Sequence, residues 1–445
     1  MKLPKELVEN ILSMSSTQEG MLYQYLKNPD AGLYYEQITY FLHGKIDLLD
    51  FIKSWQMVFQ KNAALRTIFK WDKLSKPVQV ILKKIQMPYV VYDLTREDKD
   101  SQRQFINQTN REQKEKGFNL ETGPLYLITL YLLSEDSFAL TISNHHIILD
   151  GWSNSLVLCQ FLKIYTGISN NMIYSAESYE DMSVYLNWLK TKDMEEEKRF
   201  WKNFLLDCPV TEDFHAFQLR KKPETSEQSE CDYKVFEISE SNQKEIQQFV
   251  GEHGLTLGCL FTSIWGILLN LYEDMGDVVF GVTLSGRSGK GAIIENVVGI
   301  LMNTLPFRMK MEKSDQLIHI LKNAQHDFIS MQTYDSTSIT DIHTYAGLSA
   351  DKALFNTLIV VENYPVDMIK GAALEIDGIE GFSHTDYDIL VAVNCFHKMI
   401  VNIVYNPTKF KGVFIERLGE LLIKCLECVL RNPSCEMNEL NNLLL

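Results

Sequence analysis

The sequence predicts a mixed α/β fold built as two lobes, and three observations carry that expectation. A chain of 445 residues with 45% apolar composition can bury more than one hydrophobic core usually serves. Strand-like and helix-like patterns alternate from one end to the other instead of segregating. In the first half, a short apolar strand runs directly into a loop crowded with ionisable groups and out again into an apolar helix.

Taken in order, Asp47 is placed to cap a helix that carries Phe51, Ile52, Trp55, Val58 and Phe59 on one face. Thr67 to Trp71 and Val78 to Leu82 flank a polar turn as the arms of a hairpin would. Phe138 to Ile142 is apolar, partly β-branched and bounded by polar residues, which is the pattern of a buried strand. Ser153 is placed as the N-cap of a helix from Asn154 to Tyr165 that stops at Gly167. The polar stretch beginning at Ser169 marks a lobe boundary and divides the chain into residues 1–175 and 176–445. A helix from about Ser178 to Phe204 then bridges to or opens the second lobe. The charged run between Leu219 and Asp232 reads as a surface loop. Beyond it, Thr256 opens an apolar helix through Tyr272, Asp277 to Thr283 is a buried strand, and Phe414 to Arg431 has helical amphipathicity.

Acidic residues outnumber basic ones by 58 to 43, a formal net charge of −15, which argues against a nucleic-acid partner. The first residues, from Met1 to Leu7, lack the apolar core of a signal peptide, and no apolar run is long enough to span a bilayer. A cytoplasmic protein without a membrane partner is therefore expected. Cys425 and Cys428 have redox or zinc spacing, but they fall inside the amphipathic helical pattern without a second pair of ligands, so a structural role is expected.

The chemistry concentrates in His145-His146-Ile147-Ile148-Leu149-Asp150-Gly151, which leaves the strand just described. Histidine titrates near neutrality and can take a proton from an attacking amine; aspartate and glycine supply a fixed charge and a close backbone approach. A metal site is disfavoured, because adjacent histidines at a strand end point to opposite faces and no HExxH or third ligand follows. The stretch from Ser285 to Gly291 resembles a phosphate-binding loop but fails on register, with Leu284 where the first glycine would stand. There is no GxSxG elbow, so a covalent acyl-enzyme is not suggested.

With the histidine loop, six further segments, in order, resemble the condensation domains of nonribosomal peptide synthetases, themselves similar to chloramphenicol acetyltransferase. These are SSTQEGML from Ser15, LRTIF from Leu65, YEDMSVYLNW from Tyr179, GVTLSGR from Gly281, VGILMNTLP from Val298 and LFNTLIVVENYP from Leu354. The sequence departs from the family pattern at Thr17, Lys61, Asn62 and Met182, outside the histidine loop. The resemblance implies two acyltransferase-like α/β lobes in a V-shaped pseudo-dimer with a tunnel between them. The histidine loop would lie in the first lobe, and a floor loop and a latch in the second. It implies amide-bond formation between a donor acyl or peptidyl thioester and an acceptor aminoacyl thioester, each carried on the 4'-phosphopantetheine of an upstream or downstream peptidyl carrier protein. No cofactor would be bound by the chain itself, and an adenylation domain would be a neighbour. An epimerisation domain of the same fold and a non-catalytic recruitment domain are the alternatives. Trp152-Ser153 and the intact histidine pair favour condensation.

The resemblance also assigns roles. His146 would act on the acceptor amine, with His145 holding the loop. Asp150 would pair with Arg66 in a buried structural ion pair. Gly151 would offer its N–H to the reacting carbonyl or the pantetheine arm. Trp152 and Ser285 would line the tunnel, and Asn303 would support its interior.

Overall fold

The computed structural model describes residues 4–28, 32–170, 179–209, 231–273, 275–348, 353–363, 373–381, 387–395 and 398–444. The strands, in chain order, are β1 (Val8–Ser13), β2 (Tyr35–Gly44), β3 (Thr67–Lys70), β4 (Val78–Leu82), β5 (Tyr89–Asp93), β6 (Tyr126–Leu132) and β7 (Ser137–His145). They continue with β8 (Asp232–Glu237), β9 (Asp277–Leu284), β10 (Asn303–Lys310), β11 (Thr357–Glu362), β12 (Leu374–Gly381), β13 (Ile389–Asn394) and β14 (Ile400–Tyr405).

Two compact units emerge, and neither is one continuous stretch of chain. The first comprises Met1–Lys192, Lys290–Leu301 and Tyr364–His384; the second comprises Asp193–Gly289, Met302–Asn363 and Thr385–Leu445. The division expected at 175/176 therefore falls inside the first unit, which also takes two segments expected in the second lobe. The signal at Ser169 was local polarity, whereas what makes a unit is where later segments bury their apolar sides. Ile294, Val297 and Leu301 pack with Met182, Tyr185 and Leu186 of the helix Met182–Leu189.

In the first unit a sheet runs β12-β2-β7-β6-β5, antiparallel except for the parallel β6–β5 pair. Its core face is continuous with the helix Leu48–Lys61, whose Trp55 is fully buried and stacks on Phe161 of the helix Gly151–Ser169 at 4.4 Å. Asp47 caps the first of these helices, accepting from the Leu49 and Asp50 amides, and β3 and β4 pair antiparallel, both as the sequence suggested. β12 enters the sheet from far along the chain because Leu374, Ile376 and Ile379 share the core with Tyr40, Leu42 and Ile38 of β2. Gly44, opposite Leu374, makes that entry possible: it holds φ at +143°, and a Cβ there would run into the Ala373 carbonyl. The Ala373 N–H in turn donates to Thr166 Oγ1 on the helix Gly151–Ser169.

The second unit is built on a six-stranded sheet of order β10-β9-β11-β13-β14-β8, with parallel pairs at β9–β11 and β11–β13. The helix Leu257–Glu273 and the helix Gly412–Arg431 bury their apolar faces against it through Ile264, Trp265, Leu268, Leu418, Leu422 and Leu426. Cys425 is part of this core, and burial pushes its thiol up, consistent with a packing role. The expected helix from Ser178 to Phe204 is two helices, Met182–Leu189 and Met194–Phe204, because Asp181 and Asp193 each cap a new start. Most of the charged run between Leu219 and Asp232, and residues 171–178 at the expected lobe boundary, lie outside the described residues. Among the described residues no single helix is long and apolar enough to cross a membrane.

Gly44→Ala should destabilise the first unit by about 1–3 kcal/mol, the usual cost of one strained backbone position. Hydrogen exchange should accelerate at the amides of Leu374 to Gly381 before those of β7, since β12 is the strand the new methyl displaces.

Candidate active site

The loop after β7 is held from three sides by the backbone. The His145 N–H donates to the Leu125 carbonyl at 3.0 Å, the His146 N–H to the Tyr34 carbonyl at 2.8 Å, and the Ile148 N–H to the His145 carbonyl at 3.1 Å. Ile147, Ile148 and Leu149 are buried in the core, so the turn cannot swing without exposing three apolar side chains. Gln18 Nε2 donates to the Ile147 carbonyl at 3.1 Å, which gives the segment around Ser15 a structural reason to accompany the histidine loop.

The two histidines are in opposite environments. His145 is buried, its Nδ1 accepts from the Ile147 N–H at 3.2 Å, and its ring faces Tyr25 edge-on at 5.9 Å. Burial, reinforced by neighbouring His146, pushes its pKa down to about 3, so it is neutral at ordinary pH. His146 keeps about a quarter of its side chain exposed. Its Nδ1 lies 2.7 Å from the Leu149 carbonyl. A carbonyl can only accept, so Nδ1 carries a hydrogen and Nε2 is the ring atom left for chemistry.

Sequence reasoning missed Glu36. Its Oε1 stands 3.4 Å from His146 Nε2, and its Oε2 is within 3.4 Å of Asn144 Nδ2 and 3.5 Å of Asn154 Nδ2. Burial pushes the Glu36 carboxyl above its ordinary value, with His146 and the Asn144 amide pulling it back and Asp150 adding to the push. No local motif marks this glutamate; its signal is the register of β2 on β7, which sets Glu36 opposite Asn144, two residues before His146.

Asp150 departs from its expected role. Its Oδ1 accepts from the Ser153 N–H and its Oδ2 from the Leu301 N–H, each at 2.8 Å. It is the N-cap of the helix Gly151–Ser169, which starts earlier than the sequence suggested and continues past Gly167. Ser153, expected to be the cap, bridges Gly299 instead: its Oγ donates to the Gly299 carbonyl at 2.7 Å and accepts from its N–H at 3.0 Å. Arg66 does not pair with Asp150. Its Nη1 meets Glu9 Oε2 at 2.5 Å and the Leu82 carbonyl, and its Nε donates to the Phe59 carbonyl at 3.2 Å. The reason is local: Arg66 ends a 3₁₀ turn beside β4, where carbonyls are within reach, while both carboxylate oxygens of Asp150 take backbone donors.

Gly151 is the first residue of that helix, where a backbone N–H has no partner within the helix. Trp152 Nε1 donates to the Glu295 carbonyl at 3.1 Å, so its indole tethers the segment Lys290–Leu301. Ser285 and Asn303 belong to the second unit. Ser285 accepts from the Arg287 N–H at 3.3 Å within a turn, and Asn303 Nδ2 donates to the carbonyls of Asp335 and Thr337 at 2.9 and 2.7 Å.

Residues 8–444 match the model of the condensation domain, and the chain belongs to that family. It is 28% identical over 442 residues to surfactin synthase subunit 3 of Bacillus subtilis, covering 98% of this chain and 34% of that protein. It is 28% identical over 446 residues to tyrocidine synthase 2 of Brevibacillus parabrevis, covering 97% of this chain and 12% of that protein. The chain thus spans about a third or less of these curated relatives. Among solved structures it is similar to a variant of the starter condensation domain of rhizomide synthetase in complex with C8-CoA, with a TM-score of 0.82, 16% identity and coverage of 96% and 97% of the two chains. The first condensation domain of the calcium-dependent antibiotic synthetase, with a substrate analogue, gives a TM-score of 0.80 at 14% identity, covering 97% and 99%.

Three outcomes follow for the loop. His145 is neutral when folded but protonates below its ordinary value of 6.5 when unfolded, so its contribution to stability is complete above pH 6.5 and is lost as pH falls towards 3. His145→Asn, which keeps an acceptor for the Ile147 N–H, should flatten the stability profile between pH 6 and 4 by up to about 1.4 kcal/mol per pH unit in denaturant titrations. Asp150→Asn should cost about 1–3 kcal/mol by setting an amide NH₂ against a backbone N–H. Because Arg66 pairs with Glu9 and not with Asp150, Asp150→Asn and Arg66→Ala should add to within about 0.5 kcal/mol in a double-mutant cycle.

Proposed function

We propose that this chain forms the amide bond between a donor acyl or peptidyl thioester and an acceptor aminoacyl thioester in nonribosomal peptide synthesis. The observation that carries the reading is the fixed tautomer of His146: with Nδ1–H held by the Leu149 carbonyl, Nε2 keeps its lone pair, on a side chain that is about a quarter exposed. Aminolysis of a thioester needs such a group. As the amine nitrogen bonds to the carbonyl carbon, one of its protons passes to Nε2, and as the C–S bond breaks the same proton is delivered to sulfur. Amine plus thioester becomes amide plus thiol, with the histidine unchanged. The Gly151 N–H, at the positive end of a long helix, is the donor we assign to the developing oxyanion.

The substrates would arrive on the 4'-phosphopantetheine arms of upstream and downstream peptidyl carrier proteins after activation by an adenylation domain, and the chain itself would hold no cofactor. The curated relatives are synthetases several times longer than this chain, which supports a setting among such domains. Antibiotic-type secondary metabolism in the cytoplasm is the setting this implies.

His146→Ala should lower single-turnover amide formation between two loaded carriers by ~10²–10⁴ while leaving the melting temperature near that of the parent. Amide formation within a few-fold of the parent would sink the assignment. An epimerase of the same fold would instead exchange the α-proton of a single loaded carrier in deuterated water and make no amide. Small thioester mimics should react with a lower specificity constant than loaded carriers, because the arm and carrier supply binding energy used to position the reacting groups.

A further inference from the structure

Glu36 has no part in the chemistry described so far, yet its carboxylate faces the one ring atom that chemistry uses. Among the described residues the basic side chain within 4 Å of it is His146, which pairs with it as an ion only once protonated, and no lysine or arginine stands against it. A carboxylate with only 13% of its side chain exposed and no fixed cation beside it is costly as an anion, so it gains most when a positive charge appears next to it. The proposed reaction creates such a charge when Nε2 takes the amine proton. Two asparagine amides near Oε2 hold the carboxyl so that Oε1 is turned to the ring. The other titratable groups acting on this pair are Asp150, whose charge opposes ionisation of Glu36, and His145, which burial keeps neutral.

Resting on the reading of His146 as the proton acceptor, we propose that Glu36 is a positioning residue of this site. Its carboxylate orients the His146 ring through Nε2 and stabilises the imidazolium that forms as the amine attacks. The proton balance is that of the aminolysis itself: one proton leaves the amine nitrogen for Nε2, sits between Nε2 and Oε1 while the C–N bond forms, and goes to sulfur as the C–S bond breaks. When Glu36 is itself protonated, its O–H points at Nε2 and occupies the lone pair. Activity then falls on the acid side for a reason that belongs to the pair and not to either residue.

The test is single-turnover amide formation with loaded carriers as a function of pH, for the parent, Glu36→Gln, Glu36→Asp and His146→Ala, with melting temperatures measured in parallel. Glu36→Gln should lower kcat by at least about tenfold, less than the ~10²–10⁴ expected for loss of the base itself, and leave KM for the acceptor carrier nearly unchanged. Its acid limb should move to lower pH, because no carboxylic acid remains to cap Nε2. Glu36→Asp should recover part of kcat and return the limb towards the parent, which a purely space-filling role would not do. If Glu36→Gln is poorly folded, Glu36→Asp decides alone: a lowered kcat with the carboxylate-type limb supports the pair. Parent-like rates and an unmoved limb in the Glu36 variants, with His146→Ala inactive, would overturn the inference and leave the functional reading standing. Full activity of His146→Ala would overturn that reading itself.

Discussion

The arrangement of the site depends on the two oxygens of one buried carboxylate. Asp150 accepts the Ser153 N–H with one and the Leu301 N–H with the other. The first bond fixes where the helix after the histidine loop begins; the second fastens a segment from more than a hundred residues later against that start. Ser153 and Trp152 add parallel ties to Gly299 and Glu295. A charge with two backbone donors and no exposure is expensive to disturb, so the helix start beneath His146 is a rigid platform and not a hinge.

On that platform the two histidines divide the work by burial. His145, enclosed and neutral, belongs to the scaffold, with one nitrogen used to close the turn. His146 is turned outward and its tautomer is chosen by the Leu149 carbonyl, a backbone atom that no side-chain substitution removes. The local sequence therefore needs only the right turn to present Nε2, which explains why a short motif can carry so much of the chemistry.

Much of this was legible in the sequence because it is local. The buried strand, the turn and the apolar helix are written in residues 138 to 169, and the helix capped by Asp47 and the hairpin of β3 and β4 are equally self-contained. Even there a competition between neighbouring capping residues went unread: Asp150 and Ser153 both qualify, and burial against Leu301 and Gly299 decided between them. The Arg66 partner was not legible, since Glu9 reaches it only through the pairing of β1 with β4. Glu36 and the entry of β12 were invisible for the same reason, because register between distant strands leaves no mark on either strand alone.

The entry of β12 has a consequence for the order in which the molecule can be made. On a ribosome, β2 and β7 emerge more than two hundred residues before the strand that covers the other edge of β2. For that interval the nascent first unit presents an open edge carrying Tyr40 and Leu42, the kind of surface that pairs with other chains. Completion of the first unit must therefore wait for most of the second to be synthesised. Cutting or grafting such a domain at an interior point of the sequence divides a sheet rather than a linker.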